Sequence, residues 1–359
     1  MKEKLLGKSL DDLKQICSIE GLPSFAAGQL ANWLYLKKVD KIDDMTNISK
    51  PHRVALSEKY IIGKESPLSV ALSSDGTKKY LFNCSDYITC GKNGVSVYVS
   101  GKKSLSKAED SSHFIESVMI PDDDRFTLCV SSQAGCRMGC KFCMTGRHGF
   151  HGNLSAAEII NQFFSIAESQ QLTNAVFMGM GEPLDNFKEL FKAIEILTAP
   201  WGCSWSPKRI TVSTIGINVK ELLDRTKVHL AVSLHNPFHN ERLEIMPSEH
   251  VHPFEKTLQL IKQYDFTGQR RVSFEYIVFK GLNDSKKHAD AIVKLLKGLE
   301  CRVNLIRFHD IGDTTFVSSP MAVIEQFKQR LQSGGITTTI RASRGEDIEA
   351  ACGMLAGKR

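Results

Sequence analysis

The sequence predicts an α/β protein built on a partial (β/α)6 barrel, preceded by a small helical domain and a short β-rich connecting segment. Three observations carry that prediction. Strand-like and helix-like stretches alternate from about residue 125 to the end. The first 65 or so residues carry apolar side chains at helical spacing. Between them, residues 66–120 show period-two alternation broken by glycines. Strands alternating with helices imply a parallel sheet with crossover helices. About six such units suggest a barrel left open on one side, since a closed one has eight.

The elements follow in order. Leu10, Leu13 and Ile16 mark a first helix, and Phe25, Leu30, Trp33 and Leu34 the buried side of a second. In the middle segment Tyr80–Phe82 and Val95–Val99 read as strands, with turns at Gly76, Gly91, Gly94 and Gly101. Lysines 78, 79, 92, 102, 103 and 107 crowd this region. They read either as solvated hairpins or as a face that contacts phosphates. Strands are then expected at Phe126–Ser131, Ala175–Met178, Ile210–Ser213, Leu230–Ser233, Val272–Ile277, Val303–Arg307 and Thr337–Arg341. The helix from Ser155 opens with Ser155 and Glu158 in a capping box, followed by an Ile159, Ile160, Phe163, Phe164 stripe. Further helices are expected near Leu190–Leu197, Phe254–Tyr264, Lys286–Leu296 and Val323–Leu331. The domains so drawn are 1–65, helical and of RNA-binding type; 66–120, the connecting segment; and 121–359, catalytic.

Composition narrows the class. Of 359 residues, 42% are hydrophobic and 24% charged, which is ordinary for a globular protein in water. The net charge of +6 is compatible with a polyanionic partner. The first residues have no apolar core of signal-peptide type, and no apolar run reaches the ~18 residues that span a bilayer. The expectation is a cytoplasmic protein with no membrane partner. Ten cysteines in a reducing compartment then call for metal binding or chemistry.

Gly135-Cys136-Arg-Met-Gly-Cys140-Lys-Phe-Cys143 sets three thiols at C-x3-C-x2-C spacing, in a loop after the first barrel strand. Thiolates are soft ligands for zinc or iron–sulfur sites. A structural zinc would need a fourth ligand, for which His148 or His151 is at hand. Three cysteines on a 4Fe-4S cube instead leave one iron open, as a substrate-binding cluster requires. The loop lies at the carboxyl end of a barrel strand, where barrel enzymes place their chemistry.

With this motif the sequence resembles the radical S-adenosylmethionine superfamily. Met178-Gly-Met-Gly181-Glu182-Pro183 follows the next strand as that family's Gly-Glu motif does, Ser213 ends the third strand and Ser233-Leu234-His235 the fourth. The resemblance implies that these positions hold S-adenosylmethionine, and that Cys136, Cys140 and Cys143 hold one 4Fe-4S cluster. Leu128-Cys129-Val-Ser-Ser-Gln-Ala-Gly-Cys136, Gly345-Glu-Asp-Ile-Glu-Ala-Ala-Cys352-Gly-Met-Leu and the helical start look like the RlmN-type RNA adenine methyltransferases of the RlmN/Cfr family. That likeness covers nearly the whole chain. It implies a radical-SAM barrel, two S-adenosylmethionines per turnover, methylation of carbon 2 of an adenosine in 23S ribosomal RNA and next to some tRNA anticodons, a one-electron donor such as flavodoxin, and a monomer.

The chemistry explains the cysteines. Carbon 2 of adenine is electron-poor and cannot attack a sulfonium methyl, whereas a thiolate can. By the resemblance, Cys352 takes the methyl, a 5′-deoxyadenosyl radical from a second S-adenosylmethionine removes a hydrogen from it, and the carbon radical adds to the ring. Release needs a base and a second thiol, roles that match Glu116 and Cys129; displacement leaves a disulfide. Read without the resemblance, Cys129 is a small buried residue and Glu116 a solvated carboxylate. One position departs from the family: Asn304-Leu-Ile-Arg-Phe-His309 carries His309 where an Asn contacts S-adenosylmethionine. Two other readings stand beside this one. The same chemistry at carbon 8, as in Cfr-type enzymes, shares Cys352 and the cluster. A non-catalytic iron–sulfur RNA-binding sensor would need no methyl relay. Cys17, Cys84, Cys90, Cys203 and Cys301 read as structural.

Overall fold

The computed structural model describes residues 2–84, 86–90, 96–100, 114–312 and 314–356. Lysines 92, 102, 103 and 107, Val95 and Gly91, Gly94 and Gly101 lie outside them.

The chain starts as helices: α1 (Leu10–Ile19), α2 (Ala26–Ala31), which runs on as a wider π-helical turn over Asn32–Leu36, and α3 (Lys50–Lys59). Two short strands, β1 (Glu3–Lys4) and β2 (Tyr60–Ile61), pair in parallel and tie the two ends of this region together. Ser9 and Asp12 form a capping box that starts α1, and Leu13, Ile16 and Cys17 bury its inner face. Phe25 departs from expectation. It precedes α2 and is 67% exposed, because the buried stripe comes from Ala26, Ala27, Leu30 and Ala31 instead.

The remaining strands of the principal sheet are β3 (Ser69–Leu72), β4 (Lys78–Asn83), β7 (Phe114–Asp122), β8 (Arg125–Cys129), β11 (Asn174–Phe177), β12 (Ile210–Thr214), β13 (His229–Ser233), β14 (Val272–Val278), β15 (Cys301–Arg307) and β16 (Thr337–Ile340). They form one ten-stranded sheet in the order β16-β15-β14-β13-β12-β11-β8-β7-β4-β3. From β8 to β16 every pairing is parallel, and β7, β4 and β3 extend that sheet antiparallel. The connecting segment therefore contributes strands to the barrel's own sheet. A hairpin of β5 (Asp86–Cys90) and β6 (Ser96–Ser100) pairs instead with β10 (Phe150–Asn153), which pairs with β9 (Gln133–Gly135) beside the cysteine loop.

Helices cover the outside: α5 (Ala156–Phe164), α6 (Phe187–Thr198), α7 (Val219–Arg225), α8 (His239–Ile245), α9 (Phe254–Gln263), α10 (Lys286–Leu295) and α11 (Met321–Ser333), with the short α4 (Met144–Arg147) after the cysteines. The Ser155 capping box is present as expected, and Ile159, Ile160 and Phe163 are fully buried against the sheet. Each such side chain stabilises by about 1.5–3 kcal/mol relative to exposure. Along the barrel strands, alternate residues face outward into this apolar layer and inward to the lumen. Inward positions include Thr211, Ser273, Glu275, Asn304 and Thr339, so the barrel's interior is polar.

The lysines of β4 do not form a free phosphate-binding face. Lys78 pairs with Glu168, and Lys79 stands 3.1 Å from Glu116. Tyr80, Leu81 and Phe82 are all buried, because β4 is covered on both faces rather than exposed on one.

Candidate active site

Cys129 ends β8 pointing inward, and the cysteine loop begins seven residues later. The loop is folded tightly by two glycines. Gly135 has φ +71°, and a Cβ there would lie 1.9 Å from the Gly149 carbonyl, to which the Cys136 N–H donates at 2.7 Å. Gly181 has φ +95°, and its Cβ would meet the Gln133 side chain at 2.5 Å. Neither position admits a side chain.

Cys136 and Cys140 are buried and Cys143 is half-buried. Burial pushes the Cys136 thiol well up, that of Cys140 up to about 12 and that of Cys143 up; the Cys140 and Cys143 sulfurs raise Cys136 further, and Cys143 raises Cys140. Such thiols stay protonated in water and release their protons when a strong cationic centre binds the sulfurs. Three mutually facing soft donors in one loop fit an iron–sulfur cluster. Among the described residues no three His, Cys, Asp or Glu side chains are grouped as ligands of one metal ion. A cube does not ask for that, since each thiolate ligates its own iron.

Two residues that support this loop carried no signal in the sequence. Arg242 on α8 is fully buried beside Cys140. It donates to the carbonyls of Leu234 (3.0 Å), Ser233 (2.8 Å) and Ile215 (3.3 Å) and pairs with buried Glu249. Desolvation lowers its pKa to about 10. Phe142, between two of the cysteines, packs edge-on against His235 with centroids 4.9 Å apart. Sequence alone does not distinguish this arginine from the exposed ones on neighbouring helices.

The positions that the sequence led us to expect around S-adenosylmethionine lie at successive strand ends. Glu182 is buried, and its carboxylate accepts from the Leu184 and Ile215 N–H groups at 3.1 and 3.0 Å. Burial raises its pKa to about 7. Ser213 and Ser233 are half-buried on adjacent strands, and Leu234 is fully buried. His235 has φ +51°, and its Nδ1 accepts from the Ile277 N–H at 3.1 Å. Burial, then Arg242, lowers its pKa to about 3, so the ring is neutral.

The barrel holds a cavity of about 490 Å3. Cys129, Cys143, Cys352 and His309 all line it. Residues 129 and 352, far apart in sequence, therefore share one chamber. Both are free thiols. Burial, then Cys352, raises the Cys129 pKa to about 12. Arg341, just past β16, lies between them. It feels both sulfurs, approaches the Met178 sulfur at 3.1 Å and was not singled out in the sequence. His309 reaches Ser343 through Nε2 at 3.1 Å, with Nδ1 3.7 Å from Glu346. Cys136, Cys140, Gly181, Glu182, Ser213, Ser233, Leu234, His235 and Glu116 are not on this cavity's wall.

Cys352 itself is exposed, on a segment laid across the cysteine loop. The Met144 N–H donates to the Gly353 carbonyl at 2.8 Å and the Thr145 hydroxyl to Leu355 at 2.7 Å. Glu116 is buried, in contrast to a solvated carboxylate. It accepts from the Ala356 N–H at 2.8 Å, four residues past Cys352, and pairs with Lys79.

An open α/β barrel with three thiols in the loop after its first parallel strand defines a radical S-adenosylmethionine enzyme. The model of the radical SAM superfamily matches residues 130–292, and that of the ribosomal RNA large subunit methyltransferase N-terminal domain matches residues 3–62. The chain is 53% identical to "Probable dual-specificity RNA methyltransferase RlmN" of Parabacteroides distasonis, over 99% of this chain and 96% of that one. It is 38% identical to the dual-specificity RNA methyltransferase RlmN of Syntrophus aciditrophicus, over 98% and 95%. Its fold matches the crystal structure of a radical SAM methyltransferase from Sphaerobacter thermophilus with a TM-score of 0.84, at 33% identity, over 99% of this chain and all of the other. The chain belongs to the RlmN family. Its cofactors are accordingly a 4Fe-4S cluster and S-adenosylmethionine, two per turnover. No helix among the described residues is long and apolar enough to cross a membrane.

Proposed function

We propose that this protein methylates carbon 2 of an adenosine in 23S ribosomal RNA, and of adenosine beside the anticodon of some tRNAs, through a methylated Cys352. The observation that carries the reading is the pair Cys129 and Cys352 on one cavity wall, with the cluster ligand Cys143 beside them. Cys136, Cys140 and Cys143 hold the cluster. Gly181, Glu182, Ser213, Ser233, Leu234 and His235 hold S-adenosylmethionine, with His309 at the edge nearest the cavity. When bound, the cluster and S-adenosylmethionine supply a methyl group and a hydrogen-abstracting radical.

The protein's own residues do the rest. Cys352 is exposed, so its sulfur can meet both a sulfonium methyl and an RNA base. After the methylene has joined the ring and the odd-electron adduct has given up one electron, which the bound cluster would accept, Glu116 is the base that removes the ring proton, reaching it when the segment that binds its carboxylate through Ala356 moves. Cys129 then attacks the Cys352 sulfur as a thiolate: an S–S bond forms, the S–C bond breaks, its electron pair goes to the carbon, and that carbon takes up one proton to leave as the methyl group. The donor of single electrons is of the flavodoxin type, the enzyme works as a monomer, and its place is the cytoplasm. Anaerobic holoenzyme with S-adenosylmethionine, reductant and either RNA should yield 2-methyladenosine and 5′-deoxyadenosine, read by nucleoside mass spectrometry. Formation of 8-methyladenosine, or of 5′-deoxyadenosine with no methylated base, would overturn the reading.

A further inference from the structure

Below the two cysteines the lumen is not filled by side chains. A second cavity, also of about 490 Å3, lies toward the amino ends of the barrel strands. It is continuous with the reaction cavity above, sharing Val176, Met178, Asn304, Arg270, Arg302 and Arg341 among its lining, whereas Glu275, Ser273 and Arg271 line the lower cavity and not the upper. Its two ends differ in chemistry. Arg270 and Arg271, just before β14, and Arg302, at the start of β15, surround the mouth, and all three are exposed. Among the described residues Arg302 meets no carboxylate. Arg270 spends one N–H on the Lys208 carbonyl at 3.2 Å, and Arg271 stands 3.8 Å from the exposed Glu300. Guanidinium groups so placed suit a phosphate, which can accept from several forks at once.

Deeper in, the wall holds Glu275, Asn304, Val176 and Met178. Glu275 is 3% exposed. Its Oε1 accepts from Asn304 Nδ2 at 2.8 Å and from the Ser273 hydroxyl at 3.3 Å. Its Oε2 is buried and accepts no hydrogen bond; the Arg341 Nη1 stops 3.8 Å away. A buried carboxylate oxygen without a donor is costly, and a ligand that brings one N–H relieves that cost. Four residues of strand separate Arg271 from Glu275, about 13 Å. A nucleotide can span such a gap from its phosphate to the far edge of its base.

We propose that the lower lumen is a nucleotide-binding site, distinct from the positions that hold S-adenosylmethionine. The phosphate sits among Arg270, Arg271 and Arg302, the base packs against Val176 and Met178, and an exocyclic amine donates to Glu275 Oε2. Only one oxygen of Glu275 is open, so the site takes adenine or cytosine, each with a single amino group on that edge. Guanine presents two adjacent N–H donors and asks for both oxygens. The occupant is a free nucleoside 5′-phosphate or a nucleotide unit of single-stranded RNA. The inference does not depend on the methyl-transfer reading, because its test reads binding alone.

The test is calorimetric titration of AMP into anaerobically reconstituted holoenzyme saturated with S-adenosylhomocysteine, which blocks the cofactor's own adenine site. AMP should bind one to one, with adenosine, ribose 5-phosphate and GMP each at least tenfold weaker. Glu275→Gln and the double variant Arg270→Ala, Arg302→Ala should each lose tenfold or more for AMP while keeping iron content and S-adenosylhomocysteine affinity. Arg302→Gln alone, at an exposed position the fold does not lean on, guards against a misfolded double variant. Competition by an end-blocked oligoribonucleotide assigns the site to RNA, and its absence assigns it to the free nucleotide. No AMP binding in the presence of S-adenosylhomocysteine, or binding indifferent to all three variants, overturns the proposal.

Discussion

Cys129 and Cys352 face one cavity from two unlike supports. Cys129 is fixed in a strand, with β7 on one side and β11 on the other. Cys352 rides on a segment outside the sheet that polar contacts hold down: Asp347 to Ser73 and Ser74, Gly345 N–H to Asp75, Arg344 to Asp122, and the two bonds to the cysteine loop. The contrast suits two chemical tasks. A thiol that carries a methyl and then an RNA must visit several partners, whereas a resolving thiol need only wait, protonated and dry. The sharpest way to break this comparison is to remove each sulfur. Cys352→Ala should abolish turnover and never carry a methyl or an RNA adduct, as intact-protein mass spectrometry would show. Recovered methylation of RNA by that variant would end the division of labour.

Cys129→Ala is the next largest effect, and of a different kind. It should react once and stall with RNA joined through a methylene to Cys352, visible on denaturing gels and in the crosslinked peptide. In the wild type, Cys129 must become a thiolate to act, and burial has raised its pKa to about 12. Below that value the thiolate fraction grows about tenfold per pH unit. Release of the adduct in single-turnover experiments should therefore quicken about tenfold from pH 7 to pH 8. A release rate flat across that range would place proton loss on another group.

The two supports were unequally legible in the sequence. Barrel strands and helices were readable because the outward-facing positions of the strands are apolar, as Val272, Phe274, Tyr276 and Val278 show, and because Ser155 and Glu158 announce a helix start. The cysteine loop was readable because ligand spacing is a local property. The segment around Cys352 has no such period. Only likeness to a family marked it, and its anchors at Asp75, Ser73 and Asp122 are more than 200 residues distant. Arg341 and Arg242 stayed hidden for a related reason: an arginine's burial is decided by what folds over it. Lys78 and Lys79 left two readings open because a charge in sequence says nothing of its partner, here Glu168 for Lys78 and Glu116 for Lys79.

Asp347 tests how firmly the segment that carries Cys352 must be held. Its carboxylate accepts from the Ser73 hydroxyl and from the Ser74 N–H. These bonds hold its pKa below the usual value, as the Thr77 and Gly345 N–H groups hold that of Asp75, down to about 2. Lowered carboxylate pKa values mean an anchor present above about pH 4 and lost as pH falls toward 2. Asp347→Ala should slow turnover several-fold at neutral pH and raise proteolysis near residue 345. Iron content should stay unchanged, because the cysteine loop rests on the sheet. Iron loss in this variant would show that the two supports are one.

Thr145 offers the smallest and most selective change. Its hydroxyl donates to the Leu355 carbonyl at 2.7 Å across the only short stretch where the cysteine loop and the Cys352 segment touch side by side among the described residues, next to the Met144–Gly353 bond. Thr145 is 3% exposed, so water cannot replace the lost donor. Thr145→Val keeps the shape and leaves one buried carbonyl unpaired, a cost of about 1–3 kcal/mol. For a chain of this size that lowers Tm by no more than a few degrees. If the bond only stabilises the fold, methylation of Cys352 should keep its rate. If it also aligns Cys352 with the cluster, that rate should fall while S-adenosylmethionine affinity holds. A fixed rate together with the expected drop in Tm would reduce Thr145 to a structural strut, leaving the position of Cys352 to the anchors in the β3–β4 turn and at the end of β7.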